Sequence, residues 1–185
     1  MFVRTPRLLL RQGWIEDAPA LVRAIGSDPA IARNTARIPL PYSLADAEAF
    51  LGREQNPQAP SCLIFARTSR TLRLVGCVGI EADQDGHELG YWIARPYWGL
   101  GFATEAASAL IRCARESLKI ERIRSGHFVD NPASGRVLRK LGFRPTGRVV
   151  KRYSVARGHE VDCVLFADGN VTPCEEPAMR CLEAA

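Results

Sequence analysis

The chain has 185 residues, 46% hydrophobic and 24% charged, with a net charge of +5 and a mean hydropathy of −0.10. That length suits one domain with a buried core, and no apolar run reaches the roughly 20 residues of a membrane span. The opening MFVRTPRLLLRQ has too short an apolar stretch for a secretory signal, so the expectation is a cytoplasmic protein with reduced cysteines and no membrane partner.

In chain order, PRLLLRQ reads as a first strand. IEDAPALVRAIGSD follows with Ala18, Leu21, Val22 and Ile25 at helical spacing, and Gly26 is placed to stop it. PLPYSLADAEAFLGRE offers Ser43 as an N-cap for a helix from about Leu44 to Arg53. SCLIFART, LRLVGCVGIEA and HELGYWIA are short, rich in β-formers and joined by hairpin-length connections, so they should be antiparallel neighbours. A long helix runs from about Phe102 to Lys119, with Ala107, Leu110, Ile111, Ala114 and Leu118 as its apolar stripe. ERIRSGHFV comes after that helix and can return parallel to HELGYWIA. NPASGRVLRKLGF is a short helix capped by Asn131, opened by Pro132 and ended by Gly142. RPTGRVVKRYSV and HEVDCVLFA close the order as a strand pair. These elements predict an α/β fold of the α+β kind, a mixed and mostly antiparallel sheet of about seven strands with helices on both faces. Residues 1–170 form the expected domain, and 171–185, with Pro173 and Pro177, read as a loose tail.

The six cysteines, Cys62, Cys77, Cys113, Cys163, Cys174 and Cys181, include no CxxC pair, and His87, His127 and His159 have no metal-like spacing. No metal is therefore expected, and the first four cysteines read as core residues. Between Arg112 and Arg157, thirteen lysines and arginines face only Glu116, Glu121 and Asp130. Such a segment attracts polyanions, whether a phosphorylated cofactor or RNA.

The sharpest signal is the stretch YWGLGFATEA, two glycines at the start of the long helix. The first N–H groups of a helix have no internal partner and its dipole is positive there, so a glycine loop at that point is an anion site. A P-loop would need GxxxxGK[ST], and no lysine follows Gly101 in the loop. A dinucleotide fold would find GxGxxT at Gly99–Thr104 and Asp130 after the next strand, but the preceding strands are antiparallel and too little chain remains for its further units.

GYWIARPYWGLGFATEA followed by NPASGRVLRKLGF resembles the GCN5-related N-acetyltransferases, the GNAT family. TPRLLLRQGWIEDAPAL and PYSLADAEAFL resemble its RimJ/RimL-like branch, which acetylates protein N-termini and assorted small amines. The resemblance spans about Thr5 to Ala167. The family loop pattern Q/R-x-x-G-x-G/A falls on Trp98 to Ala103, with Trp98 departing from Q/R. It implies acetyl-CoA as cosubstrate, its pyrophosphate on Leu100, Gly101, Phe102, Ala103 and Thr104, with Gly99 in the same cofactor-binding loop. It also implies a pantetheine arm along the backbone at Trp92, Ile93 and Ala94, and cofactor contacts at Asn131, Ser134 and Lys140.

Amide formation from a thioester needs a deprotonated amine, a stabilised oxyanion and a leaving thiolate; a backbone N–H of the YWIA strand can serve the oxyanion. Strand alternation places Glu88, Gly90 and Trp92 on one face, so Glu88 is the candidate base beside an open glycine patch, or else a strand glutamate paired with an arginine. Ser134 is the candidate donor to the leaving sulfur, with helix capping as its structural alternative and Tyr153 as a rival. Asp162 lies near the acceptor end or pairs with Arg157. The expected function is acetyl transfer from acetyl-CoA to a primary amine, with a protein N-terminus near the ribosome, a small-molecule amine, or a non-catalytic CoA- or RNA-binding module left open. Monomer and homodimer also stay open.

Overall fold

A computed structural model describes residues 2–169 apart from 27, 55, 57, 68–70 and 84–85. The β-forming runs assemble into eight strands: β1 (Phe2–Arg4), β2 (Leu8–Arg11), β3 (Ser61–Ala66), β4 (Arg73–Asp83), β5 (Gly86–Ile93), β6 (Ile123–Phe128), β7 (Arg144–Ser154) and β8 (His159–Ala167). They form one sheet in the order β1-β2-β3-β4-β5-β6-β8-β7. The helices are α1 (Ala18–Ile25), α2 (Pro29–Arg33), α3 (Leu44–Leu51), α4 (Phe102–Leu118) and α5 (Pro132–Lys140). This is the expected mixed sheet, with one strand more than expected. The addition is β1, folded against β2 by a turn in which the Leu8 amide donates to Thr5 Oγ1 at 2.9 Å.

Both faces of the sheet are covered, which is why β3 is buried at nearly every position rather than alternating. Cys62, Ile64 and Ala66 face a core built with α4 and α5, around Leu110, Leu138 and Phe166. Leu63 and Phe65 face a second core with α1 and α3. Burial pushes the Cys62 thiol up to about 11 and that of Cys77 to about 12, so both pack as neutral groups. Cys113 is partly buried, Cys163 is buried, and Cys174, Cys181 and the expected tail lie outside the described residues. Under the α1 face, Arg11 and Asp17 form a buried bidentate pair with both contacts at 2.7 Å, the guanidinium stacked 3.9 Å from the Trp14 ring and 4.3 Å from that of Phe65.

Local chemistry sets the helix limits. Ser43 caps α3 through a capping box with Asp46, and α3 stops at Leu51, two residues before the expected end. Asn131 Oδ1 accepts from the Ser134 amide at 3.3 Å to cap α5. The short α2 was not foreseen; Asp28 caps it and Pro29 opens it. Among the described residues, no helix is long and apolar enough to cross a membrane.

One junction positions everything that follows. Every neighbouring pair of strands is antiparallel except β5 and β6, which are parallel and in register only at His87↔Ile123 and Glu88↔Arg124. Beyond those pairs the two strands part, leaving the C-terminal half of β5 with an open edge.

Candidate active site

The opening between β5 and β6 leads into a cavity of about 790 Å³. One end is walled by the glycine loop and the first turn of α4, one side by α5, and the far end by the connection from α2 to α3.

At the loop end, Gly99 and Gly101 have φ of +79° and +78°, a left-handed backbone that only glycine adopts freely. Gly101 is the residue before the first turn of α4. Among the described residues, the amides of Gly101, Phe102, Ala103 and Thr104 have no hydrogen-bond acceptor, and all four residues line the cavity. The helix dipole and four open donors therefore converge on one point. Trp98, at the place where the family pattern has Q/R, donates from its indole Nε1 to the Ile93 carbonyl at 2.6 Å, tying the end of β5 to the loop. Arg136 and Lys140 of α5 line the same cavity and bring positive charge to it.

Along β5 the Ala94 amide donates to the Val75 carbonyl at 2.8 Å. Backbone alternation in an antiparallel pair then turns Trp92 and Ala94 toward β4, and Tyr91 and Ile93 toward the open side. Ala94 is buried with its N–H spent on β4, so of the backbone expected to meet the arm only Ile93, with its neighbour Tyr91, turns an N–H toward the open side. Trp92 reaches the cavity with its side chain.

The Tyr91 hydroxyl crosses the opening to α5. It lies 2.8 Å from Ser134 Oγ and donates to the Ser134 carbonyl at 3.2 Å. Burial pushes the Tyr91 phenol up to about 12, with the Ser134 contact working the other way, so it stays neutral across the physiological range. Ser134 thus has a capped amide and a hydroxyl in a pair facing the cavity. Close approach of α5 to β6 depends on Gly135, where a Cβ would stand 2.6 Å from His127 Nε2.

Farther along β5, Glu88 is gripped by Arg152, with contacts of 2.5 and 3.1 Å, and Arg124 stands 4.0 Å away. A carboxylate has about four lone-pair sites, and Arg152 occupies one on each oxygen. Beside it, a Cβ on Gly90 would meet nothing within 4 Å, so the patch in front of the carboxylate is open. Two segments are joined across the far end. The Val155 amide donates to the Ala36 carbonyl at 2.9 Å, and Arg157 donates to the Arg33 carbonyl at 2.7 and 3.1 Å while pairing with Asp130. Hydrogen bonding from Arg157 holds the Asp130 carboxyl below the usual carboxylate range. Asp162 pairs instead with Lys151, directly opposite on β7, at 2.8 Å.

The cavity brings together Glu88, Trp92, Ile93, Gly99, Gly101, Phe102, Ala103, Thr104, Asn131, Ser134 and Lys140. It leaves out Ala94 and Leu100, whose side chain is half exposed, and Tyr153, exposed on the edge strand. The pairing of Tyr91 with Ser134, the grip of Arg152 on Glu88 and the Arg157 junction were not foreseen; each depends on strand order, which no local pattern carries. Among the described residues, no group of three or more His, Cys, Asp or Glu could hold a metal.

Residues 7–144 match the family model described as an acetyltransferase (GNAT) domain. The uncharacterized N-acetyltransferase YoaA of Bacillus subtilis is 29% identical over 172 residues, covering 89% of this chain and 94% of its own length. An acetyltransferase (GNAT family) from Bacillus anthracis superposes with a TM-score of 0.75 at 23% identity, over 90% of this chain and 97% of that one. RimL, a ribosomal L7/L12 alpha-N-protein acetyltransferase solved with coenzyme A, superposes with a TM-score of 0.72 at 20% identity, over 90% and 97% of the two chains. At those identities the structural likeness is one of fold.

Proposed function

The chain belongs to the GNAT acetyltransferase family, and from that premise we propose that it transfers an acetyl group from acetyl-CoA directly to a primary amine, the N-terminal α-amine of a protein. That acceptor, near the ribosome and in the cytoplasm, is the one named for RimL, a solved structure that shares the fold. The observation that carries the reading is the row of four unpartnered amides from Gly101 to Thr104, opening into a cavity that continues along the free edge of β5. These residues fit a diphosphate followed by an extended, amide-bearing arm. The Gly101–Thr104 amides hold the diphosphate, Tyr91 and Ile93 pair with the arm, and Lys140 and Arg136 face the distal phosphate. Asn131 holds the start of α5 in place beside it.

Acetyl-CoA brings an acyl group already activated as a thioester, so the protein's tasks are to orient, accept a proton and donate one. Glu88 faces the amine across the Gly90 patch and takes its proton directly or through a water, using the lone pairs that Arg152 leaves free. An α-amine with a pKa of about 7.7–8.0 asks little of that base. The N–H of Tyr91 stabilises the developing oxyanion, while its carbonyl and the N–H of Ile93 pair with the arm. Ser134, backed by Tyr91, donates to the departing sulfur.

The second reading is a small-molecule amine, favoured by the junction of residues 33–36 with 155–157, which makes the acceptor enter end-on. Thiol release measured on a panel of N-terminal peptides and free amines separates the two. Acetyl-CoA should raise the melting temperature, with about 2.7 kcal/mol of stabilisation at 100 Kd. Stabilisation with no thiol release on any acceptor would indicate a binding module. Absence of stabilisation, together with steeply salt-dependent RNA binding, would indicate a nucleic-acid protein.

A further inference from the structure

The amides of the glycine loop are aimed from outside the cavity. Arg7, in the turn between β1 and β2, donates from Nη1 to the Leu100 carbonyl at 2.9 Å. Its Nε and Nη2 reach Glu105 Oε2 at 2.7 and 2.6 Å. The Arg7 amide donates to Glu105 Oε1 at 3.0 Å, and Thr5 Oγ1 donates to the same oxygen at 2.6 Å. The guanidinium also lies 4.8 Å from the Phe102 ring centroid. One short turn thus grips both sides of Gly101, the carbonyl before it and the first helical turn after it.

The peptide unit is planar and trans, so a carbonyl and the N–H that follows it point in opposite directions. Anchoring the Leu100 carbonyl on Arg7 therefore turns the Gly101 N–H away from Arg7. Gly101 lines the cavity and Arg7 does not, so that N–H is directed into the cavity. Glycine has more backbone freedom than any other residue, and fixing a loop that holds two of them before binding lowers the ordering cost of the ligand. Charge enters as well. A carboxylate in the first turn of α4 suits the helix dipole but repels an anion bound there, and Arg7 neutralises it. Glu105 itself is held below the usual carboxylate range: burial opposes this, but Thr5 and Arg7 outweigh it.

We propose that Arg7, through the Leu100 carbonyl and Glu105, is the positioning residue that presets the helix-start amides for a diphosphate. The proposal rests on the diphosphate reading of this loop. Arg7 acts through geometry and neutralisation of Glu105, without touching the ligand.

The test compares wild type, Arg7→Gln and Arg7→Lys by calorimetric titration with CoA, and by kinetics with acetyl-CoA and acetyl-pantetheine, which lacks the diphosphate. Arg7→Gln should weaken CoA binding and raise KM for acetyl-CoA roughly 10- to 100-fold, the range of a lost hydrogen bond to a charged group. Its kcat at saturating acetyl-CoA and its KM for acetyl-pantetheine should stay within about twofold, as expected when only ground-state binding of the diphosphate is lost. Arg7→Lys keeps a charge beside Glu105 but cannot span both partners, so it should fold normally and fall between the two. The proposal is overturned if either variant that folds binds CoA as wild type does, or loses acetyl-pantetheine to the same extent. A wild-type chain that uses both donors equally well overturns the diphosphate reading itself.

Discussion

Gly101→Ala separates the backbone shape of the loop from its sequence. The residue sits at φ +78° and ψ +7°, and a Cβ there would meet only Arg7 Nη2, at 3.5 Å, an ordinary contact. Space is no obstacle, so the penalty is conformational, about 1–2 kcal/mol for an L-residue in the left-handed region. The free loop can escape that penalty by turning φ negative, whereas binding through the amides requires the original shape. Apparent affinity then falls by the lost population of the competent loop, about 5- to 30-fold in KM for acetyl-CoA. Gly147→Ala is the control, since Gly147 has φ +80°, open space around its Cβ and a position on β7 outside the cavity. For a chain of this length each kcal/mol lowers the melting temperature by about 2–4 °C. Gly147→Ala should show that drop with KM unchanged, and Gly101→Ala should raise KM. If steady-state kinetics give both variants the wild-type KM while both lose thermal stability, loop shape does not govern binding and the reasoning fails.

Three further outcomes follow from the same geometry. Glu88→Gln should lower kcat/KM by about tenfold at neutral pH, with activity recovering as pH rises past the amine's pKa of about 7.7–8.0 and the amine loses its proton unaided; full activity at pH 7 would remove Glu88 as the base. Tyr91→Phe removes the hydroxyl 2.8 Å from Ser134 Oγ, so kcat should fall while KM for acetyl-CoA stays near wild type, and an unchanged kcat would detach Tyr91 from Ser134's role. Asp17 is held below its usual value of 3.8, because hydrogen bonds from Arg11 and the Trp14 amide outweigh the opposing effect of burial. The unfolded chain therefore binds its proton first, so this contribution is present above pH 3.8 and is lost as pH falls through the lower folded value. Asp17→Asn should flatten that acid limb in pH-dependent melting and cost about 3–5 kcal/mol by stranding Arg11; a variant with wild-type stability and acid profile would contradict this.

Much of the fold was legible because its signals are local. The α4 stripe, the Asn131 and Ser43 caps, and the glycine pair ahead of Phe102 each declare themselves within a few residues. The three residues of β1 and five of α2 are too few to show a period. The site was legible where it rests on such signals and obscure where it rests on strand order. Glu88 and Arg152 lie 64 positions apart and meet only because β8 and β7 follow β6 in the sheet. The choice of Tyr91 over Ala94 on the open edge depends on which way one strand's amides turn, a parity fixed by pairing with β4. Arg157 could have paired with Asp162 on sequence grounds, but the cross-strand register gives Asp162 to Lys151.

The central claim, that the helix-start amides bind a diphosphate, is tested most directly by amide ¹H–¹⁵N spectra recorded during titration with CoA. The resonances of Gly101, Phe102, Ala103 and Thr104 should move farthest, and pantetheine alone should leave them in place. Saturating CoA that shifts residues elsewhere while these four stay still would contradict it.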